Sequence, residues 1–127
     1  MRMKTPKVLI VEDEVIAAAN LGMLCERWGY DLCPLVTSAE DAVESACREK
    51  PDIILMDISI HGDKDGIEAA LEIREGAPIP VIFLSGYSDE SIRMRARLVE
   101  GSGFMIKPLD YSRLRKMMDE MVSNAKG

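Results

Sequence analysis

Short apolar runs alternate along the chain with stretches of helical period. Val8-Leu9-Ile10-Val11, Ile53-Ile54-Leu55-Met56 and Val81-Ile82-Phe83-Leu84 are continuous and too short for helices, the pattern of strands buried on both faces of a parallel sheet. Tyr30 to Val36 reads as another strand, and Pro34, which cannot donate to a ladder, puts it at an edge. Gly103 to Lys107 reads as a fifth strand, ended by Pro108. In the first gap Ala17, Leu21, Leu24 and Trp28 form one helical stripe that Gly29 can close. A second helix starts at Thr37-Ser38, where Thr37 with Glu40 or Ser38 with Asp41 can satisfy free amides; Ala39, Ala42, Val43, Ala46 and Cys47 supply its inner face. The third runs from about Gly66 to Arg74 with Ile67, Ala70 and Leu71 inward, and Ala77-Pro-Ile-Pro80 breaks it. Ser88, Asp89 and Glu90 open the fourth ahead of Ile92, Ala96 and Val99. Asp110 caps the fifth, in which Leu114, Met117, Met118, Met121 and Val122 keep the period.

Alternating strands and helices predict an α/β fold, a doubly wound five-stranded parallel sheet of flavodoxin-like (βα)5 type. The edge character of the second strand is compatible with strand order 2-1-3-4-5. The 127 residues, 47% of them hydrophobic, suit one domain, with a core over about residues 7–124. A net charge of −6 argues against direct nucleic-acid binding. No apolar run approaches the length of a membrane span, so a soluble cytoplasmic protein is expected. Cys25, Cys33 and Cys47 are odd in number and widely spaced, which favours buried, reduced thiols over disulfides or zinc.

Charge changes this picture through its position. Glu12 and Asp13 follow the first strand, Asp57 ends the third, Ser85 ends the fourth and Lys107 ends the fifth. In an open α/β sheet these carboxyl ends meet along one edge, where ligands bind. Three neighbouring carboxylates repel unless a cation is present. Oxygen-only ligands suit Mg²⁺, which binds through one or two carboxylates and keeps positions for water and phosphate. With that charge offset, Asp57 can act as a nucleophile that accepts a phosphoryl group, a step that depends on positioning and charge stabilisation. Lys107 and the Ser85 hydroxyl are placed to meet phosphoryl oxygens. The lone His61 reads as an exposed loop residue, Phe104 as a core position, and Asp63 and Asp65 as loop and helix-start charges.

Ile10-Val-Glu12-Asp13-Glu, Leu55-Met-Asp57-Ile, Asp65-Gly-Ile-Glu-Ala-Ala, Pro80-Val-Ile-Phe-Leu-Ser85-Gly-Tyr and Phe104-Met-Ile-Lys107-Pro108 together resemble the receiver domain of two-component response regulators, over nearly the whole chain. The resemblance implies that Asp57 takes phosphate from a phosphohistidine on a sensor histidine kinase or histidine phosphotransfer protein. Glu12, Asp13 and Asp57 would hold Mg²⁺, joined by the backbone carbonyl of Ser59. Lys107 and Ser85 would contact the phosphoryl group, with Ser85 and Phe104 as switch residues and a cis bond at Lys107-Pro108. A downstream protein would be met through the fourth helix, fifth strand and fifth helix. Residues 1–127 would be a stand-alone receiver with no output domain, catalysing only its own phosphorylation and dephosphorylation.

The chain departs from the family pattern in three places. The usual Met-Pro after the phosphorylated aspartate is missing, the loop from Ser59 to Asp65 is one residue longer than its commonest form, and Ser85 replaces the commoner Thr. Ser59 and Tyr87 occupy positions where the family tunes phosphate lifetime. A haloacid-dehalogenase-like phosphatase shares the residue types but puts its nucleophile on the first strand, with a second Asp two residues later, where this chain has Ser59. A receiver-like scaffold that signals without phosphate is the third reading.

Overall fold

The computed structural model describes residues 5–60, 62–87 and 89–126; His61 and Ser88 lie outside them. In chain order come β1 (Lys7–Val11), α1 (Val15–Arg27), β2 (Asp31–Leu32), α2 (Ala39–Glu49), β3 (Ile53–Asp57), α3 (Gly66–Gly76), β4 (Val81–Ser85), α4 (Glu90–Ala96), β5 (Gly103–Ile106) and α5 (Tyr111–Lys126). The strands form one parallel sheet in the order β2-β1-β3-β4-β5, the expected doubly wound arrangement.

Alternation within each strand builds two cores. Leu9, Val11, Ile54, Met56, Val81 and Phe83 face α2, α3 and α4, where Ala39, Ala42, Ala46, Ile67, Ala70, Ile73 and Ala96 meet them. Val8, Ile10, Ile53, Leu55, Ile82, Leu84 and Met105 face α1 and α5, against Ala18, Leu21, Cys25, Leu114 and Met118. Every residue of β3 and β4 is buried, which is why those runs carry no polar alternation.

Several faces differ from the sequence reading. The buried stripe of α1 is Ala18, Leu21, Gly22 and Cys25; Ala17 is exposed and Leu24 and Trp28 only half-buried. Gly22 permits the rotation, because a Cβ there would press on Leu32 Cδ1 at 3.1 Å, so the helix lies closest to the sheet at that position. Cys47 and Leu71 are exposed, while Ser45, Ala69 and Ile73 are buried. The reduced thiols are thus two buried and one exposed. β2 keeps two paired residues plus an isolated Val11–Val36 bridge, since Pro34 interrupts the ladder. Val99 packs into the core from beyond the end of α4.

Caps fall where the polar residues stand. Ser38 accepts from the Asp41 amide at 3.2 Å, Asp89 from Ile92 at 3.0 Å and Asp110 from Arg113 at 3.1 Å. Asp65 and Glu68 form a reciprocal capping box on α3. That helix starts hard against the strand before it, with the Gly66 amide donating to Ile58 O at 3.0 Å. A Cβ on Gly66 would overlap the Asp57 carbonyl oxygen and crowd Met56. Gly66→Ala is therefore expected to cost about 1–3 kcal/mol in chemical denaturation, the range for overpacking a close contact. Gly76→Ala, whose added Cβ meets nothing within 4 Å, is expected to be neutral or to gain up to about 1 kcal/mol; equal losses for the two variants would refute the close-approach account.

Candidate functional site

Strand register assembles the site. Val11 pairs with Met56, Asp57 with Leu84 and Ser85 with Ile106. Glu12, one step beyond β1, therefore comes level with Asp57, and Lys107 extends past β5, its amide donating to Ser85 O at 2.8 Å. Asp57 is 4% exposed and Glu12 5%. The Lys107 ammonium donates to Asp57 Oδ2 at 2.9 Å and to Glu12 Oε1 at 3.0 Å, bridging two strand ends that lie 50 and 95 residues before it in the chain. The Ser59 amide donates to Asp57 Oδ1 at 3.0 Å, and the Glu14 amide to Glu12 Oε2 at 3.2 Å. The Lys107-Pro108 peptide bond is cis.

Glu12, Asp13 and Asp57 each bring one carboxylate oxygen within 4.8 Å of the others. Burial, and then the neighbouring Asp57 carboxylate, push the Glu12 carboxyl up to about 6 from 4.5, against the pull of the Glu14 amide and Lys107. For Lys107 burial favours the neutral amine, but the hydrogen bonds to Asp57 and Glu12 outweigh it and raise its affinity for the proton. One ammonium thus serves two buried acids with Asp13 beside them, and the surplus negative charge of that pair, on oxygen donors alone, is the chemistry that captures a hard divalent cation. The fit lies in the donor set.

The sequence-derived residues Glu12, Asp13, Asp57 and Lys107 come together directly. Ser85 ends the neighbouring strand and its buried hydroxyl is engaged with Tyr87, accepting from the Tyr87 amide at 3.0 Å and donating to Tyr87 O at 2.9 Å. Phe104 is half-buried, with the Arg93 guanidinium 5.1 Å from its ring centroid. Sequence reasoning passed over Arg93, Arg95 and Arg74. Arg95 pairs with Asp65 at 2.7 Å, joining α4 to the cap of α3; Arg74 donates to Ile79 O and Glu100 O at 3.0 and 2.8 Å, tying down the segment after α4. Surface arginines on a helix carry no pattern that marks one of them as a tether.

Residues 8–119 match the family model for the response regulator receiver domain. The chain is 32% identical over 117 residues to the transcriptional regulatory protein PdtaR of Mycobacterium tuberculosis (strain ATCC 25618 / H37Rv), covering 92% of this chain and 57% of that protein. It is 28% identical over 118 residues to the transcriptional regulatory protein ZraR of Escherichia coli (strain K12), covering 92% of this chain and 26% of that protein. This chain therefore spans about half or less of the length of these curated relatives. Among solved structures, the signal receiver domain of a modulated diguanylate cyclase from Desulfovibrio desulfuricans G20 is similar with a TM-score of 0.89 and 35% identity, over 97% of this chain and 98% of that one.

The raised Glu12 value has a sign that can be checked. Above pH 4.5 the unfolded chain releases this proton while the folded chain retains it to about pH 6, so the folded state binds more protons and Glu12 lowers stability as pH rises through that window. Asp65 and Asp89 act below it. For Asp65 burial opposes ionisation, but Arg95 and the Glu68 amide hold its carboxyl below 3.8; the Ile92 amide and Ser91 hydroxyl do the same for Asp89. Urea midpoints measured from pH 4.5 to 6 in chelator should show a downward contribution that Glu12→Gln removes. An unchanged slope in the variant would rule Glu12 out as its source.

Proposed function

The chain belongs to the response regulator receiver domain family, and from that membership we propose that Asp57 is the phosphoacceptor of a two-component phosphorelay. The observation that carries the reading is a buried carboxylate held between one ammonium and two further acids at the carboxyl edge of the sheet. The donor is a phosphohistidine on a sensor histidine kinase or a histidine phosphotransfer protein. In the transfer an Asp57 carboxylate oxygen forms a bond to phosphorus as the phosphorus–nitrogen bond of the donor breaks. The electron pair of that bond stays with the imidazole, which leaves neutral once protonated. Little covalent work falls to the other side chains, and positioning and charge carry the step.

Glu12, Asp13 and Asp57, with the Ser59 backbone carbonyl, are the residues that would hold Mg²⁺, which when bound supplies positive charge against the phosphoryl oxygens. Lys107, already 2.9 Å from Asp57, keeps its ammonium on the same oxygens and lowers the repulsion between acceptor and donor. Ser85 must release Tyr87 to donate its hydroxyl to the product, so phosphate competes for a hydrogen bond that now holds the loop after β4. That exchange biases a two-state surface formed by α4, β5 and α5, with Phe104 at its centre, toward a downstream protein. The chain has no turnover on a separate substrate; it promotes only its own phosphorylation and dephosphorylation, and it works in the cytoplasm. Among the described residues no helix is long and apolar enough to cross a membrane.

Intact-mass measurement after incubation with Mg²⁺ and acetyl phosphate should give a single phosphate adduct on the wild-type chain. The adduct should be missing in Asp57→Ala and in chelator, and should form more slowly in Lys107→Ala. An unlabelled wild type under conditions that label an active receiver would overturn the phosphoacceptor reading.

A further inference from the structure

The face formed by α4, β5 and α5 carries more than shape. In a chain of net charge −6, Arg93 and Arg113 flank a cleft of about 260 Å³ lined also by Phe104, Ile106, Pro108 and Asp110. Other arginines nearby are occupied: Arg95 pairs with Asp65, Arg97 reaches Glu90 at 3.9 Å and Arg115 reaches Asp119 at 3.9 Å. Among the described residues neither Arg93 nor Arg113 forms an ion pair. Arg93 lies over the Phe104 ring instead, and the Asp110 carboxylate is taken up by the Arg113 amide. The Arg93–Phe104 pair also borders a second cleft of about 190 Å³ that includes Arg97 and Ser102. The surface therefore offers two guanidinium groups outside any ion pair, Arg93 stacked on Phe104 with its edge donors open and Arg113 across the cleft, around a small apolar contact of Phe104, Ile106 and Pro108, with Ile106 37% exposed.

We infer that this cleft takes a short acidic segment of a partner protein, one apolar side chain entering between Phe104 and Ile106 and flanking carboxylates pairing with Arg93 and Arg113. The inference rests on reading this face as the output surface, and it names what that surface recognises. Guanidinium groups favour planar carboxylates through paired donors. A nucleic acid fits less well, because its many phosphates would feel the net negative charge of the whole chain, whereas a short segment meets chiefly the charges within a Debye length of the cleft. Phe104, Ile106 and Pro108 give one apolar side chain of such a segment a place to pack between the charged flanks.

The test is an NMR titration of the ¹⁵N-labelled chain of residues 1–127 with the peptide acetyl-Glu-Asp-Leu-Phe-Asp-Glu-amide, beside a lysine-flanked version and one with Ser-Ser for Leu-Phe. Saturable shifts at Phe104, Ile106 and the first turn of α5 are expected for the first peptide alone. Arg113→Ala should weaken it about tenfold, the loss of one charge-assisted pair, and Arg113→Glu should transfer the preference to the lysine peptide. Equal response to both charge types, shifts centred elsewhere, tighter binding of a single-stranded oligonucleotide, or self-association through this face that Arg113→Glu abolishes would each overturn the inference. The Asp57 adduct, measured by mass on the same Arg113 variants, should be unchanged. An absent wild-type adduct would count against the phosphoacceptor reading, and missing peptide shifts against the cleft.

Discussion

Burying like charges at the carboxyl edge of the sheet is the constraint on which this structure turns. Glu12 and Asp57 are nearly inaccessible, with Asp13 beside them, and the cost of desolvating carboxylates is met here by opposite charge and hydrogen bonds. Lys107 supplies one charge to two acids at once. Its reach depends on β5 ending beside β4, on β4 lying beside β3, and on β1 closing the other side.

The surrounding architecture keeps that edge rigid while leaving a path away from it. β3 and β4 are buried throughout, so the carboxylate that ends β3 stands on a floor that cannot shift without opening both cores. Gly66 lets α3 begin directly against the Asp57 backbone, and the Asp65 cap of that helix is shared with Arg95 of α4. α4 is short, with one buried residue of its own. It is held by Arg95 near the site and by the Arg74 tether beyond its end. An element fastened by a few polar contacts rather than a broad apolar face is the kind that repacks at small free-energy cost.

Strand positions, the parallel sheet and the residues at its carboxyl edge were all legible along the chain. A run such as Ile53 to Met56 has one use in a domain this size, and chain order in right-handed crossovers sends Glu12, Asp57, Ser85 and Lys107 to the same rim. Caps were legible for a similar reason, since Ser38, Asp89 and Asp110 act on amides three residues away; the capping role of Asp65 was not, since it read only as a helix-start charge. These are local or topological facts, and neither kind needs a distance between remote side chains.

The tertiary structure alone decided the rest. Whether Ala17 or Ala18 faces the sheet depends on how closely Gly22 lets α1 approach β1 and β2, and a helical period fits both. Whether Cys47 is buried depends on how α2 sits against α3. The Ser85 hydroxyl faces Tyr87 because the loop after β4 folds back onto it, and Arg93, Arg95 and Arg97 divide between a ring, a cap and a weak surface pair because α4 meets different neighbours on each side. The chain by itself determined which groups arrive at the working edge; the packing decided which of them touch, because contact is set by angles and spacings between elements that adjoin only once folded.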